Sequence, residues 1–173
     1  ALFGAAPRQI GGALGDRNSA TIILEEAMLA GKIAAYAQGF AVMAKASEEF
    51  GWDLPLGTVA KIWRAGCIIR STFLDDIASA YDKGGAVGNL MTVEPFTGML
   101  KATNGSLRRV VAEASLKGIP VPALASALAY FDFSRTARST ADLTQAQRDF
   151  FGAHGFERLD APGEEAHGPW SNA

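Results

Sequence analysis

Ala20-Thr-Ile-Ile-Leu-Glu-Glu-Ala-Met-Leu-Ala-Gly-Lys-Ile-Ala-Ala-Tyr-Ala-Gln-Gly-Phe-Ala-Val-Met-Ala-Lys-Ala-Ser-Glu-Glu-Phe50 is the stretch that decides the fold. Glu25, Glu26 and Lys32 lie towards one end and Lys45, Glu48 and Glu49 towards the other, while residues 33–44 carry no charge. Asn18 or Ser19 can cap a helix ahead of it, because a short side-chain oxygen satisfies the free amides of a first turn. Gly51 can end it. A helix over 20–50 is more than twice the usual length of about 11–12 residues. A helix apolar all round at its centre must be enclosed by others. Ala27, Ala30, Gly31, Ala34 and Ala35 are small enough for neighbours to come close. The segment reads as the central post of an all-helical domain.

Working outward, Pro55 marks a turn over 53–57, followed by a helix over 58–64 and a break at Gly66. Ile69, Phe73, Ile77 and Ala80/Tyr81 recur at helical spacing over 68–81. A glycine loop over 83–88 follows. Phe96, Leu100, Leu107, Val110/Val111 and Ala114 predict one helix over 95–117, or two separated around Asn104-Gly105. Gly118 suits the residue after a helix, and Pro120 and Pro122 forbid continuation. Pro122 fits the first turn of the next helix, which runs to about Arg135; another spans 141–151. No segment alternates with period two, so no sheet is expected. The expected class is all-α: a long central helix packed by shorter ones, with an irregular C-terminal tail. Residues 1–17 read as a linker from an upstream domain, 18–151 as the helical domain and 152–173 as the tail.

The chain has 173 residues, 49% of them apolar and 20% charged, which excludes disorder along its whole length. Lys and Arg number 16 against 18 Asp and Glu, whereas a protein that neutralises nucleic-acid phosphates normally carries a basic excess. No nucleic-acid partner is expected. The one cysteine, Cys67, excludes an internal disulfide and a cysteine-based zinc cluster. Two histidines, His154 and His167, are too few for a multi-histidine site, so no metal is expected. Residues 33–44 fall short of the roughly 20 apolar residues that cross a bilayer, and no signal peptide is recognisable. A cytoplasmic protein without a membrane partner is expected.

Phosphate loops, dinucleotide fingerprints, zinc-binding helices and nucleophile elbows are absent from the sequence. The adjacent carboxylates at Glu25/Glu26, Glu48/Glu49, Asp75/Asp76 and Glu164/Glu165 point about 100° apart on a helix, so they read as solvated charges. Cys67 suits a small buried hydrophobe, Trp63 with Arg64 a helix anchor, Arg108/Arg109 a solvated face, and Arg70 an internal ion pair. The densest polar cluster is Gln145-Ala-Gln-Arg-Asp-Phe-Phe-Gly-Ala-His154. A turn at Gly152 can swing the His154 imidazole back towards Arg148. A guanidinium fork suits phosphate or carboxylate, and histidine adds a donor near neutral pH. Helix capping and surface polarity explain the same residues without a ligand.

That cluster is similar to the Q-A-Q-R-D-Y-F-G-A-H signature of the decarboxylating 6-phosphogluconate dehydrogenases. Tyr36-Ala-Gln-Gly-Phe40, Lys61-Ile-Trp-Arg-Ala-Gly-Cys-Ile-Ile-Arg-Ser71 and Gly118-Ile-Pro-Val-Pro122, ahead of Tyr130-Phe-Asp132, resemble further landmarks in the same order. The resemblance implies a homodimeric, NADP-dependent enzyme of the pentose phosphate pathway and gluconate utilisation. Such an enzyme oxidises 6-phosphogluconate, releases CO2 and yields ribulose 5-phosphate without a metal. It further implies that Arg148 and His154 reach across a dimer to the substrate's phosphate end. The family's catalytic lysine and glutamate and its coenzyme fingerprint match nothing here and would precede Ala1, so this part alone is expected to be inactive. Phe150 departs from a usual Tyr, Gly155 from Thr and Asp142 from Asn, and the tail reads Ala-His167-Gly-Pro-Trp170 where H-T-x-W is commoner. Competing readings are a non-catalytic helical interaction module and the helical domain of a related β-hydroxyacid dehydrogenase.

Overall fold

The structure is a computed structural model that describes residues 11–66, 71–83 and 88–170. Six helices account for most of it: α1 (Arg17–Phe50), α2 (Leu56–Gly66), α3 (Phe73–Asp82), α4 (Phe96–Leu116), α5 (Pro122–Ser134) and α6 (Ala141–Gly152). Short 3-10 turns at Gly11–Leu14 and Leu90–Thr92 precede α1 and α4. Cys67 and Arg70 lie outside the described residues.

The long helix begins earlier than expected. Its cap is Asp16, not Asn18 or Ser19: Asp16 is extended, and its Oδ1 accepts the Ser19 amide at 2.8 Å. Gly51 ends the helix in the left-handed conformation (φ 65°), which a residue without Cβ adopts at no steric penalty. By length and composition α1 could cross a bilayer, but Ala27, Ala30, Ile33, Ala34, Ala37 and Phe40 are wholly buried in the domain core. The enclosure is not complete all round, since Ala35 and Gly39 are exposed and so are Ile22, Met28 and Val42.

Small residues bring the neighbours close. A Cβ on Gly31 would lie 2.7 Å from Leu124 Cδ2, so the absent side chain is what lets α5 approach α1. An aromatic seam joins the helices: Phe40 meets Trp63 of α2 edge-on at 5.5 Å and stacks on Tyr81 of α3 at 5.5 Å, and Phe73 meets Phe96 of α4 edge-on at 5.2 Å. Trp63 is therefore a helix anchor, and Arg64 pairs with Asp75 at 2.6 Å. Arg109 donates to the Ala13 carbonyl at 2.8 Å, tying α4 to the first 3-10 turn, and Ser106 donates to Glu26 of α1.

The helix α4 runs unbroken through Asn104-Gly105, where Asn104 Nδ2 donates back to the Leu100 carbonyl at 2.7 Å. It stops where Gly118 turns left-handed (φ 63°) and the Ile119 amide reaches the Ala114 carbonyl at 2.8 Å. Asn89 then docks α5, its Nδ2 donating to Tyr130 Oη at 2.7 Å while its Oδ1 accepts the Met91 amide.

The chain packs as two compact units that divide at Phe131/Asp132. The second unit contains α6 and the tail beyond it. The tail is not irregular throughout: β1 (Phe156–Arg158) and β2 (Ala161–Ala166) form an antiparallel hairpin. Its register shifts after Glu157, whose side chain accepts the Gly163 amide in the widened part. Pro162 and Gly163 are tolerated there because a bulge frees them from the ladder. The hairpin escapes an alternation test because neither of its faces is buried, its strands being exposed to half-exposed.

Phe40→Ala removes the hub of the aromatic seam. It is expected to lower unfolding free energy by about 3–5 kcal/mol, as measured by urea denaturation.

Candidate functional site

Gln145 and Asp149 are one helical turn apart on α6 and share a face, with Arg148 beside them. The helix ends at Gly152, and the reversal falls on Ala153 (φ 50°, ψ 41°), one residue later than expected, its amide donating to the Asp149 carbonyl at 2.9 Å. The chain thereby turns back over the end of the helix. The His154 ring lies over Gly152, where an added Cβ would stand 2.8 Å from its Cδ2, and meets Phe151 edge-on at 6.3 Å.

Gly155 is then clamped on both sides of its own residue. Its amide donates to Asp149 Oδ1 at 2.9 Å, and its carbonyl accepts Gln145 Nε2 at 2.5 Å. Its backbone is left-handed (φ 67°), and a Cβ would lie 2.5 Å from a Glu165 carboxylate oxygen. Glycine in place of the resembled pattern's threonine therefore suits this backbone.

Asp149 is the centre of the arrangement. Its side chain is completely buried and accepts four donors: the Gly155 amide and His167 Nδ1 (2.6 Å) on Oδ1, the Gly168 amide (2.9 Å) and Trp170 Nε1 (2.8 Å) on Oδ2. Carboxylates accepting several such bonds are held in the charged form. The Gly168 amide above all, then His167, Gly155 and Trp170, hold Asp149 far below the usual carboxylate range against the opposing effect of burial. The same bond to Asp149, reinforced by Glu165, raises the His167 imidazole above its ordinary value of 6.5. Gly168 leaves room for the Trp170 indole to fold back over it, and Phe150 meets that indole edge-on at 6.0 Å.

Arg148 and His154 are both exposed. Arg148 Nη1 donates to Gln145 Oε1 at 3.0 Å, so Gln145 orients the guanidinium with one end of its amide and holds Gly155 with the other. The remaining guanidinium N–H groups and the His154 ring nitrogens make no hydrogen bond among the described residues. Nothing joins Arg148 to His154 directly; they share a frame rather than a contact. A depression of about 310 Å3 beside His154 is lined by Glu157, Glu164 and Glu165, which disfavour an anion there. In the groove between α6 and the hairpin, Arg138 and Arg158 are already paired with Asp142 and Asp160.

Sequence reasoning missed Asp149, His167 and Trp170 as one cluster. One signal was available. A carboxylate in the last turn of a helix faces the negative end of the macrodipole and is unfavourable there unless donors surround it.

Fold and site together define a helical domain with a latched tail that leaves a guanidinium and an imidazole exposed. The model of the "6-phosphogluconate dehydrogenase, C-terminal domain" matches residues 5–170, and the chain belongs to that family. It is 48% identical over 149 residues to the decarboxylating 6-phosphogluconate dehydrogenase of Lactococcus lactis subsp. lactis, covering 86% of this chain and 32% of the relative. It is 49% identical over 140 residues to the NADP(+)-dependent enzyme of Bacillus subtilis, covering 81% and 30%, and 46% identical over 156 residues to that organism's NAD(+)-dependent enzyme, covering 90% and 33%. The chain thus spans about a third of the length of these curated relatives. A solved Plasmodium falciparum 6-phosphogluconate dehydrogenase, studied apo, with NADP+ and with 6-phosphogluconate, superposes with a TM-score of 0.79 at 38% identity, over 96% of this chain and 34% of that one.

The latch is expected to depend on pH. His167 is raised in the folded state, so its contribution is complete below 6.5 and is lost as pH rises through the raised value. Asp149 is lowered, so its contribution is complete above 3.8 and is lost as pH falls through the lowered value. Titration of His167 by NMR is expected to give a midpoint above 6.5 that falls in Asp149→Asn.

Proposed function

We propose that this chain is the substrate-capping, dimer-forming part of an NADP-dependent oxidative decarboxylase that converts 6-phosphogluconate to ribulose 5-phosphate and CO2 in the pentose phosphate pathway. Arg148 and His154 bind the substrate's phosphate end. The observation that carries this reading is the pairing of family membership with an exposed guanidinium and an exposed imidazole that keep free donors, both held by the Gln145–Asp149 frame.

The chemistry assigns the parts. Hydride leaves C3 for the nicotinamide and the C3 hydroxyl loses its proton; the resulting β-keto acid loses CO2, and the enediol takes up a proton at carbon. Phosphate lies remote from C3, so its binding energy can hold the reacting carbon in place. Arg148 supplies a planar fork for phosphate oxygens and His154 a further donor. Acid–base groups and the coenzyme fold belong to the part of the enzyme that this chain does not span. Coenzyme preference is set there too, which agrees with the similar identities to NADP(+)- and NAD(+)-dependent relatives.

A second copy of the chain is the proposed partner. Leu143, Phe150, Phe151 and Leu159 around α6 are 69–76% exposed, and Ile22, Met28 and Val42 on α1 are 56–64% exposed, more apolar surface than an isolated domain usually leaves open. The enzyme acts in the cytoplasm.

Arg148→Ala, in an enzyme comprising this chain and the upstream part, is expected to raise the substrate KM roughly tenfold or more, since a charge-assisted hydrogen bond is worth about 1.5–3 kcal/mol. Unchanged steady-state kinetics would refute the assignment. The chain on its own, mixed with NADP and 6-phosphogluconate, is expected to form no NADPH.

A further inference from the structure

We propose that Asp149 is a positioning residue for substrate binding: by clasping both ends of the tail hairpin, it makes docking of His167 and Trp170 a condition for His154 and Arg148 to stand where they bind phosphate. The inference rests on the assignment of Arg148 and His154 to the phosphate.

The geometry runs in one chain of contacts. Gly155, where the hairpin begins, and Gly168, just beyond where it ends, both donate to the one carboxylate. The hairpin is therefore a loop closed on the last turn of α6. His154 precedes Gly155 and Arg148 precedes Asp149, so each phosphate-binding side chain is one residue from an anchored point. Gln145 couples the two, holding the Gly155 carbonyl and the Arg148 guanidinium with opposite ends of one amide. His167 and Trp170 fill the remaining acceptor positions of Asp149.

No large apolar side chain of this unit is buried among the described residues, so hydrophobic packing within the chain cannot substitute for these bonds. When His167 or Trp170 loses its donor, the carboxylate keeps a buried lone pair without a partner and turns towards whatever donor remains. Any such rotation moves the Gly155 amide and the imidazole before it. The tail thus acts on substrate without touching it.

The test uses the enzyme comprising this chain and its upstream part, with 6-phosphogluconate as substrate and inorganic phosphate as competitive inhibitor. Asp149→Asn places an amide NH2 among four donors. It is expected to raise the KM and weaken phosphate inhibition roughly tenfold, with kcat changed by less than about threefold. In a background that carries both Arg148→Ala and His154→Ala the same change is expected to add less than about twofold, because it acts through those two groups. His167→Ala is expected to raise the KM, and His167→Asn, whose amide N–H replaces Nδ1–H, to restore most of it. Should Asp149→Asn fail to fold, Trp170→Phe removes a single donor and is read in the same way. Additive effects of Asp149→Asn and the Arg148→Ala/His154→Ala pair, or an Asp149→Asn KM equal to that of the parent, would overturn the inference while leaving the phosphate assignment intact. If Arg148→Ala and His154→Ala themselves leave the KM unchanged, the phosphate assignment fails and the inference falls with it.

Discussion

A buried carboxylate at the wrong end of a helix is what the second unit of this protein depends on. Asp149 stands in the last turn of α6, where the backbone carbonyls already concentrate negative charge. Two amides, an indole N–H and an imidazole offset that, and all of them come from residues C-terminal to the helix. The charge therefore cannot be accommodated unless the tail comes back to it. A partnerless buried charge is among the most unfavourable features a fold can contain, so this requirement orders the tail more strongly than any single apolar contact available to it.

The two units are held by different physics. In the first, α1 presents a stripe of Ala and Gly broken by Ile33 and Phe40, and its neighbours close on it to form a continuous apolar core. In the second, only Asp149, Gly155 and Gly168 are buried among the described residues. Glycine recurs where the polar latch needs it: Gly155 takes a left-handed turn beside Glu165, and Gly168 lies beneath the Trp170 indole. Each would block the latch if it carried a side chain.

This difference decides what could be read from the sequence. Hydrophobic periodicity locates elements that bury a face, and it placed five of the six helices to within three residues at each end, while α3 starts at Phe73, five residues past the start expected for it. The error at the start of α1 was local, since the Asp16 cap turns on a side-chain hydrogen bond that periodicity does not register, and of the two readings of α4 the unbroken one holds. The hairpin was invisible for a deeper reason, since strands with no buried face carry no alternation. Arg148 and His154 could be picked out as a polar cluster and through a resemblance. Asp149 was signalled only by its place in the last turn of α6, and its donors not at all, because they are spread from Gly155 to Trp170 and two of them are backbone amides, which no residue type advertises.

Holding Arg148 and His154 on such an element has a physical consequence. Hydrogen-bonded segments with little buried apolar surface open at lower free energy than packed cores. A tail of this kind can open and close without disturbing the apolar core of the first unit. It must nonetheless return the imidazole to the same place each time, and a non-directional apolar contact would not fix that position. A carboxylate with four donors at defined angles does, because each bond weakens steeply when misaligned. Polar latching and positional accuracy are thus two aspects of one requirement, and the sequence meets it with Gln145, Asp149 and the glycines on which the tail folds back.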